Sequence, residues 1–349
     1  MRSVANIARQ SRNQRGLSDS PSPIHVQAAG QTWESQAWDL LLRHLPADER
    51  RRQIQSLKAN SEFSQGEFSP ENLWICLREG LLTGVLLQIP QPGRVAYVWP
   101  PVVAFSESHS SRETIADALL NASGRYSDTL GIQFSQVALA EGETHPPPCL
   151  IRNGYSLRAN LLLQERELDS SRMYTAGTEL MFEPFHASQA DRMAALLKQT
   201  YVGTADCPSV ARWRSSNDAL ARHLAAGLAT ARNWTFVRCE EVDIGVLLML
   251  RNEQELSWEI DYFGVVSTAR GKGYGRQAIG WGMNFASVQG GRRIQAVVDS
   301  DNHYACKTYA DCGFRIAGQR LVLLRMHPQL AASGADMVST AGKSHNCRR

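Results

Sequence analysis

The chain has 349 residues, enough for two ordinary domains or one large one. Hydrophobic residues make up 43% and charged residues 20%, so a sizeable core is available and wholesale disorder is excluded. Lys+Arg 37 against Asp+Glu 34 leaves a net charge of +3. Residues 1–30 hold four arginines and one aspartate, and residues 327–349 three basic residues and one aspartate, so the middle is slightly acidic and lacks the basic face of a nucleic-acid binder.

Residues 1–30 are rich in Ser, Arg, Gln and Pro and read as a disordered leader without the apolar stretch of a signal peptide. Ser35–Leu57 reads as a helix. Strands follow at Leu73–Leu77, Leu81–Ile89 and Val95–Val103, then a helix at Arg112–Ser123 and a strand at Ile132–Ala140. A short helix or turn at Cys149–Gly154 leads to a closing strand, Leu157–Glu165. After a linker near Ser170–Gly177 the order repeats: strand Glu179–Phe182, helices Ser188–Thr200 and Ser216–Leu228, then strands Trp234–Cys239, Gly245–Leu250 and Leu256–Val266. The helix Gly275–Val288, strand Ile294–Val298, helix Tyr304–Cys312 and closing strand Arg320–Arg325 complete it. Residues 327–349 read as a disordered tail. Val102-Val103 superposes on Val265-Val266 and Gly154-Tyr155 on Gly313-Phe314, so the chain reads as a duplication. The expected fold class is α/β (α+β): two similar domains, 31–170 and 178–326, each a mixed central sheet flanked by helices.

No apolar run approaches the ~20 residues of a membrane span. The seven cysteines (Cys76, Cys149, Cys207, Cys239, Cys306, Cys312 and Cys347) are odd in number and lack paired spacing, which reads as reduced thiols in a cytoplasmic protein. No CxxC or HxxxH spacing marks a metal site.

The sharpest local feature is Phe263-Gly-Val-Val-Ser-Thr-Ala-Arg270-Gly-Lys-Gly273-Tyr-Gly275-Arg276, which follows a strand and opens a helix. The first amides of a helix lack intrahelical partners, and with the helix dipole they favour phosphate. Arg270, Lys272 and Arg276 add positive charge. No P-loop run exists. A dinucleotide fingerprint fails at its third glycine, where Arg276 stands, although Asp299 at the end of the next strand suits an oxidoreductase.

Arg270-Gly-Lys-Gly273-Tyr-Gly275 meets a third pattern, R/Q-x-x-G-x-G/A. With Asn302, Tyr309 seven residues later and Gly313-Phe314, it resembles the GNAT superfamily of acyl-CoA-dependent N-acetyltransferases over about 179–326. The resemblance implies a transfer of acetyl from acetyl-CoA to a primary amine, in a small molecule or peptide, by direct attack in a ternary complex. Phe263, Gly264 and Val265 then match the strand that pairs with the pantetheine arm. Arg270, Gly271, Lys272, Gly273, Tyr274 and Gly275 match the pyrophosphate loop. Asn302 is a pantetheine partner, and equally a helix N-cap. Tyr309 matches the general acid that protonates the departing thiolate. Strand alternation puts Glu259, Asp261, Phe263 and Val265 on one face. The base is Glu259, at a position some members use, or Asp261, or an ordered water. Trp213, Trp234, Trp258 and Trp281 read as core. No metal, nucleic acid or membrane is implied, and the chain is a monomer or homodimer.

The first half lacks this equipment. Phe105-Ser-Glu-Ser-His-Ser-Ser-Arg-Glu113 replaces the glycine loop, and Ala96, Glu143 and Leu150 stand for Glu259, Asn302 and Tyr309. It is expected to be a degenerate repeat that completes the acceptor cleft or acts as a built-in dimer partner. The region Tyr201–Leu228 is expected to supply acceptor contacts. The alternative to an enzyme is a non-catalytic acyl-CoA-binding or scaffold module.

Overall fold

A computed structural model describes residues 22–63, 70–171, 173–174, 179–206, 215–224, 230–252 and 255–327. The first half contains β1 (Ile24–Ala28), α1 (Gly30–Leu41), α2 (Ala47–Phe63), β2 (Leu73–Arg78), β3 (Leu81–Gln91), β4 (Val95–Val103), α3 (His109–Thr129), β5 (Phe134–Ala138), α4 (Pro148–Arg152) and β6 (Ser156–Glu167). The second contains β7 (Leu180–Pro184), α5 (Ala190–Tyr201), α6 (Ser216–Leu224), β8 (Trp234–Cys239), β9 (Val242–Asn252), β10 (Ser257–Val265), α7 (Tyr274–Val288), β11 (Arg293–Asp299), α8 (His303–Asp311) and β12 (Arg315–Met326). No helix among the described residues is long and apolar enough to cross a membrane.

The leader ends earlier than expected. Ile24–Ala28 is an edge strand antiparallel to β2, from Ile24 opposite Arg78 to Ala28 opposite Trp74. The single helix expected over Ser35–Leu57 is two, because Pro46 lacks the N–H that a helix interior needs; its carbonyl instead accepts from Arg50 N at the start of α2. The tail begins after His327, whose N–H bonds Gln133 O at 2.9 Å. The rest of the leader (1–21) and tail (328–349), Cys207, Cys347 and Trp213 lie outside the described residues. Tyr174, in the expected linker, is buried and exchanges hydrogen bonds with the Asn284 side chain at 2.7 and 2.9 Å.

The duplication is visible in the backbone. Positive φ recurs at Glu79 and Glu240, at Arg94 and Leu256, and at Gly154 and Gly313. The turn Tyr155 N to Leu150 O, 3.0 Å, repeats as Phe314 N to Tyr309 O, 3.0 Å.

The two sheets expected are fused into one. Among the described residues twelve strands run in the order β1-β2-β3-β4-β5-β12-β6-β11-β10-β9-β8-β7. The order is palindromic about the β12–β6 pair, and the closing strands are exchanged between halves. β12 lies antiparallel to β5, from Val322 opposite Ala138 to Met326 opposite Phe134, and β6 lies antiparallel to β11, from Glu167 opposite Arg293 to Leu161 opposite Asp299. β6 and β12 pair with each other from Arg315 opposite Glu165 to Leu324 opposite Ser156. A small apolar cluster of Ala159, Val322 and Leu324 seals the junction. The second half has one large core, in which Trp234, Phe236 and Trp258 are fully buried, while the first divides its core between the two sheet faces.

Candidate acyl-transfer site

β10 and β11 run parallel and pair only from Ser257 opposite Arg293 to Ile260 opposite Ala296. Beyond Ile260 the strands part, which leaves the β10 edge open toward β11. At the same point the β9–β10 register shifts by one residue, with Ile260 opposite Met249 and Tyr262 opposite Leu248. Asp261 is the extra residue of this bulge. The expected alternation therefore fails: Phe263 turns toward Gly275 and Thr308 at α7 and α8, while Tyr262 turns to α5 and meets the Thr200 hydroxyl at 2.9 Å. β9 approaches this segment so closely that a Cβ on Gly245 would lie 2.4 Å from Gly264 O.

After β10 the chain makes one 3-10 turn, Ser267–Ala269, and enters α7 through Gly271 (φ 78°) and Gly273 (φ 81°). Gly273 is the N-cap, in the left-handed region that glycine adopts without strain, and no side chain caps the helix. Among the described residues nothing lies within 4 Å of a Cβ built at Gly271 or Gly273. The first amides of α7 follow these glycines, with exposed Lys272 beside them and Tyr274 half-buried, its hydroxyl 3.4 Å from Cys239 Sγ. This cradle fits a phosphate-bearing group.

Arg270 is used otherwise. Its Nε donates to Val265 O at 3.0 Å, one terminal nitrogen to Gly203 O at 2.7 Å and the other to Thr200 O at 2.8 Å. It braces the end of β10 to the end of α5, and only its backbone belongs to the loop.

Asn302 caps α8, its side-chain oxygen accepting from Ala305 N at 3.2 Å. Asp206, absent from the sequence expectations, reaches the same corner, where it accepts from Asp299 N at 3.1 Å and from the Asn302 side chain. Burial raises the Asp206 carboxyl above the usual aspartate range. Tyr309 is buried on α8, edge-on to Phe314 at 5.1 Å, and burial, then Asp206, raise its phenol well above an ordinary tyrosine.

On the α5–α6 side Glu259 keeps its own surface exposed, yet protein surrounds it closely enough that desolvation, and then the Asp261 charge, raise its carboxyl. Burial works to raise Asp261 as well. There the hydrogen bond from His223 Nδ1 to Oδ2, 2.6 Å, with the charges of His223 and Arg222, outweighs it and the carboxyl lies below its usual value. His223 Nε2 is 3.2 Å from the Tyr201 hydroxyl. No local spacing links positions 201, 223 and 261, so nothing in the sequence pointed to them beyond the expectation of acceptor contacts from Tyr201–Leu228; of that region, residues 207–214 and 225–228 lie outside the described residues.

The first half reaches this side. Arg94, in the β3–β4 turn, binds Asp218 of α6 through two nitrogens. Arg222, a third of its side chain exposed, lies 4.0 Å from Asp261 Oδ1 and within electrostatic reach of Tyr97, Tyr201 and Glu259. Parallel pairing of β4 with β5 puts Tyr97 opposite Gln136, as Glu259 is opposite Gln295. Tyr97, rather than Ala96, therefore occupies the place of Glu259. The place of Tyr309 is filled by the fully buried Leu150. α4 is too short to give Glu143 the capping role of Asn302. At the loop position Ser108 caps α3 with its own hydroxyl, and Glu107 pairs with Arg78.

Residues 204–314 match the model of the acetyltransferase (GNAT) family. The matched segment lies within the second half. Over 87% of the chain the fold is similar to that of solved GNAT proteins. A GCN5-related N-acetyltransferase from Sphaerobacter thermophilus is 12% identical over 87% of this chain and 96% of its own, with a TM-score of 0.54. The GCN5-related glucosamine N-acetyltransferase region of a fungal multi-domain GH3 β-N-acetylglucosaminidase is 11% identical over 87% of this chain and 38% of that one, TM-score 0.55. A tandem GNAT protein from the clavulanic acid biosynthesis pathway is 13% identical over 87% and 98%, TM-score 0.47. No curated relative matches the chain.

Proposed function

We propose that the second half is an N-acetyltransferase that passes an acetyl group from acetyl-CoA to a primary amine by direct attack in a ternary complex. The parting of β10 from β11 beside the uncapped, open N-terminus of α7 carries this reading. The amides after Gly273, with Lys272, would hold the pyrophosphate, and the free edge of Phe263, Gly264 and Val265 would hold the pantetheine arm. Acetyl-CoA supplies an activated thioester carbonyl.

An alkyl ammonium of pKa ~10.4 is almost wholly protonated at neutral pH, so a base must act first. Glu259 is the exposed carboxylate of the cleft, and its raised pKa moves its proton exchange toward neutrality. As the N–C bond forms, the C–S electron pair passes to sulfur. Tyr309 keeps its phenolic proton in its buried setting and gives it to that sulfur. The first half, with Ser108 and Glu107 in place of an open anion cradle, binds no CoA on this proposal and serves as a wall of the acceptor cleft.

Calorimetric titration with acetyl-CoA tests the reading, followed by a panel of amino acids, polyamines, aminoglycosides and peptides. One site per chain, lost in Gly273→Glu, with turnover of at least one amine, is the expected result. Binding with no turnover of any amine would reduce the protein to an acyl-CoA-binding module. Two sites per chain would overturn the assignment of the first half.

A further inference from the structure

The acceptor side of the cleft holds three linked polar side chains to which the steps above assign nothing. Each comes from a different element: Asp261 from the β10 bulge, His223 from α6, Tyr201 from the end of α5. Asp261 Oδ2 lies 2.6 Å from His223 Nδ1, and His223 Nε2 lies 3.2 Å from the Tyr201 hydroxyl. The imidazole is fixed. It is 5% exposed, tilted on Tyr262 at 5.4 Å and edge-on to Trp234 at 6.3 Å, and the Tyr201 ring stands edge-on to Tyr262 at 5.3 Å. Of the two, Tyr201 is half-buried and His223 is buried.

The protons follow from the chemistry of the groups. An ionised carboxylate only accepts hydrogen bonds, so Nδ1 carries a proton. In the neutral ring Nε2 then holds the lone pair and accepts from the Tyr201 O–H. Further charged or titratable groups around the ring are Arg222 from α6, Glu259 and Tyr262 from β10, and Tyr97 from β4 beyond Arg222.

An amine that arrives as an ammonium and leaves as an amide loses two protons from nitrogen. Glu259 takes the first, before attack. The second becomes acidic only as the N–C bond forms, when Glu259 has already received its proton. We propose that Tyr201, His223 and Asp261 are the relay that takes this second proton. The Tyr201 oxygen receives it from nitrogen while passing its own proton to His223 Nε2, and Asp261 orients the ring and balances the imidazolium charge. Tyr201 is the catalytic residue of the three; His223 and Asp261 act through it. The proton held on His223 returns to solvent through Tyr201 after the product leaves, and Glu259 discharges to solvent directly. Tyr309 regains from solvent the proton it gave to sulfur. This inference rests on the amine-acetylation reading.

The test has two arms. In protein labelled with ¹⁵N in the histidine rings, His223 should show a protonated Nδ1 and an acceptor Nε2 at neutral pH. Tyr201→Phe should move the Nε2 resonance and leave Nδ1, and Asp261→Asn should make the ring titrate at lower pH. In the second arm, the amine turned over fastest in the panel above is the probe. Tyr201→Phe, which removes one oxygen and should fold normally, is expected to lower kcat by ~10²-fold with the amine KM changed by less than about twofold. His223→Gln should do the same, and the double variant should cost no more than either alone. The acidic limb of the pH–rate profile should change in all of them, which a merely structural role would not produce. A reversed tautomer, or an unchanged kcat and pH profile in Tyr201→Phe, overturns the relay. A wild-type protein that binds acetyl-CoA and acetylates no amine overturns the acetyltransferase reading instead, and the resonance arm then tests the hydrogen-bond chain alone.

Discussion

Arg270 shows how a residue can sit in a candidate binding loop and brace it from behind. Its guanidinium joins the last carbonyls of α5 to the end of β10 through three hydrogen bonds. Hydrogen bonds from a charged donor contribute about 1.5–3 kcal/mol each, and those here are partly exposed, so Arg270→Ala should cost about 2 kcal/mol or more in urea unfolding. Arg270→Lys should recover little of it, since an ammonium cannot span three carbonyls in the plane of a fork. If Arg270 instead held phosphate directly, Arg270→Lys would keep both stability and acetyl-CoA affinity. Tyr309→Phe removes only the proposed acid: kcat should fall ~10²-fold with acetyl-CoA affinity in calorimetry unchanged. The loop, Asn302 and Tyr309 could be singled out in the sequence as candidates because the spacing within one strand–loop–helix–strand–helix run is fixed by local geometry. Arg270's direction, Asp206 and the Tyr201–His223–Asp261 chain were hidden, because each depends on a contact between segments far apart in the chain.

At the level of elements the bulge in β10 decides which side chains meet. Perfect alternation would have set Phe263 beside Glu259. The extra residue at Asp261 instead gives Phe263 to α7 and Tyr262 to α5, and brings Asp261 to His223. Bulges leave almost no trace in a hydrophobic pattern, which is why the strand was legible and its faces beyond Ile260 were not. Gly245, opposite the bulged segment, is required by the approach of Gly264 O. Gly245→Ala should destabilise the protein by about 1–3 kcal/mol and disturb the slot, measurable as a lower denaturation midpoint together with weaker acetyl-CoA binding. The outer edge is tied differently. Glu183 on β7, Arg192 on α5, Arg238 on β8 and Asp243 on β9 form an ion-pair network. Arg192 first of all lowers the Glu183 carboxyl from 4.5 to about 2. A lowered folded-state pKa stabilises above the unfolded value and is lost as pH falls through the folded one. The Glu183 contribution should therefore be full above about pH 4.5 and fade toward pH 2. Since the side chain is a third exposed, that contribution is about 1 kcal/mol, and Glu183→Gln should flatten the acid dependence of Tm in that window.

For the whole molecule, the repeat of element order was readable from apolar periodicity and from pairs such as Gly154-Tyr155 and Gly313-Phe314. The exchange of β6 and β12 was not, since both strands have the same pattern and would satisfy either sheet. The exchange makes each half depend on the other. Residues 22–174 expressed alone should lack the partner of β5 and present an unmatched β6, and should be recovered as aggregate or unfolded chain. Co-expression with residues 179–327 should restore a soluble complex with the circular dichroism of the intact protein; a well-folded isolated half would contradict the exchange. The Arg94–Asp218 clasp and the approach of Tyr97 to Arg222 join the first half to α6, so the proposed acceptor side of the cleft needs both halves in place.

The swapped strands also set a timetable for biosynthesis. When Glu167 leaves the ribosome, β5 has no neighbour on one side, and it waits for a strand that ends at Met326. At 5–20 residues per second the interval is about ten to thirty seconds. During it the nascent chain carries open strand edges, the surface that chaperones hold and that misassembles between chains. A message cut short anywhere in the second half would release a product that cannot close its sheet, so the arrangement ties the solubility of the first half to completion of the second.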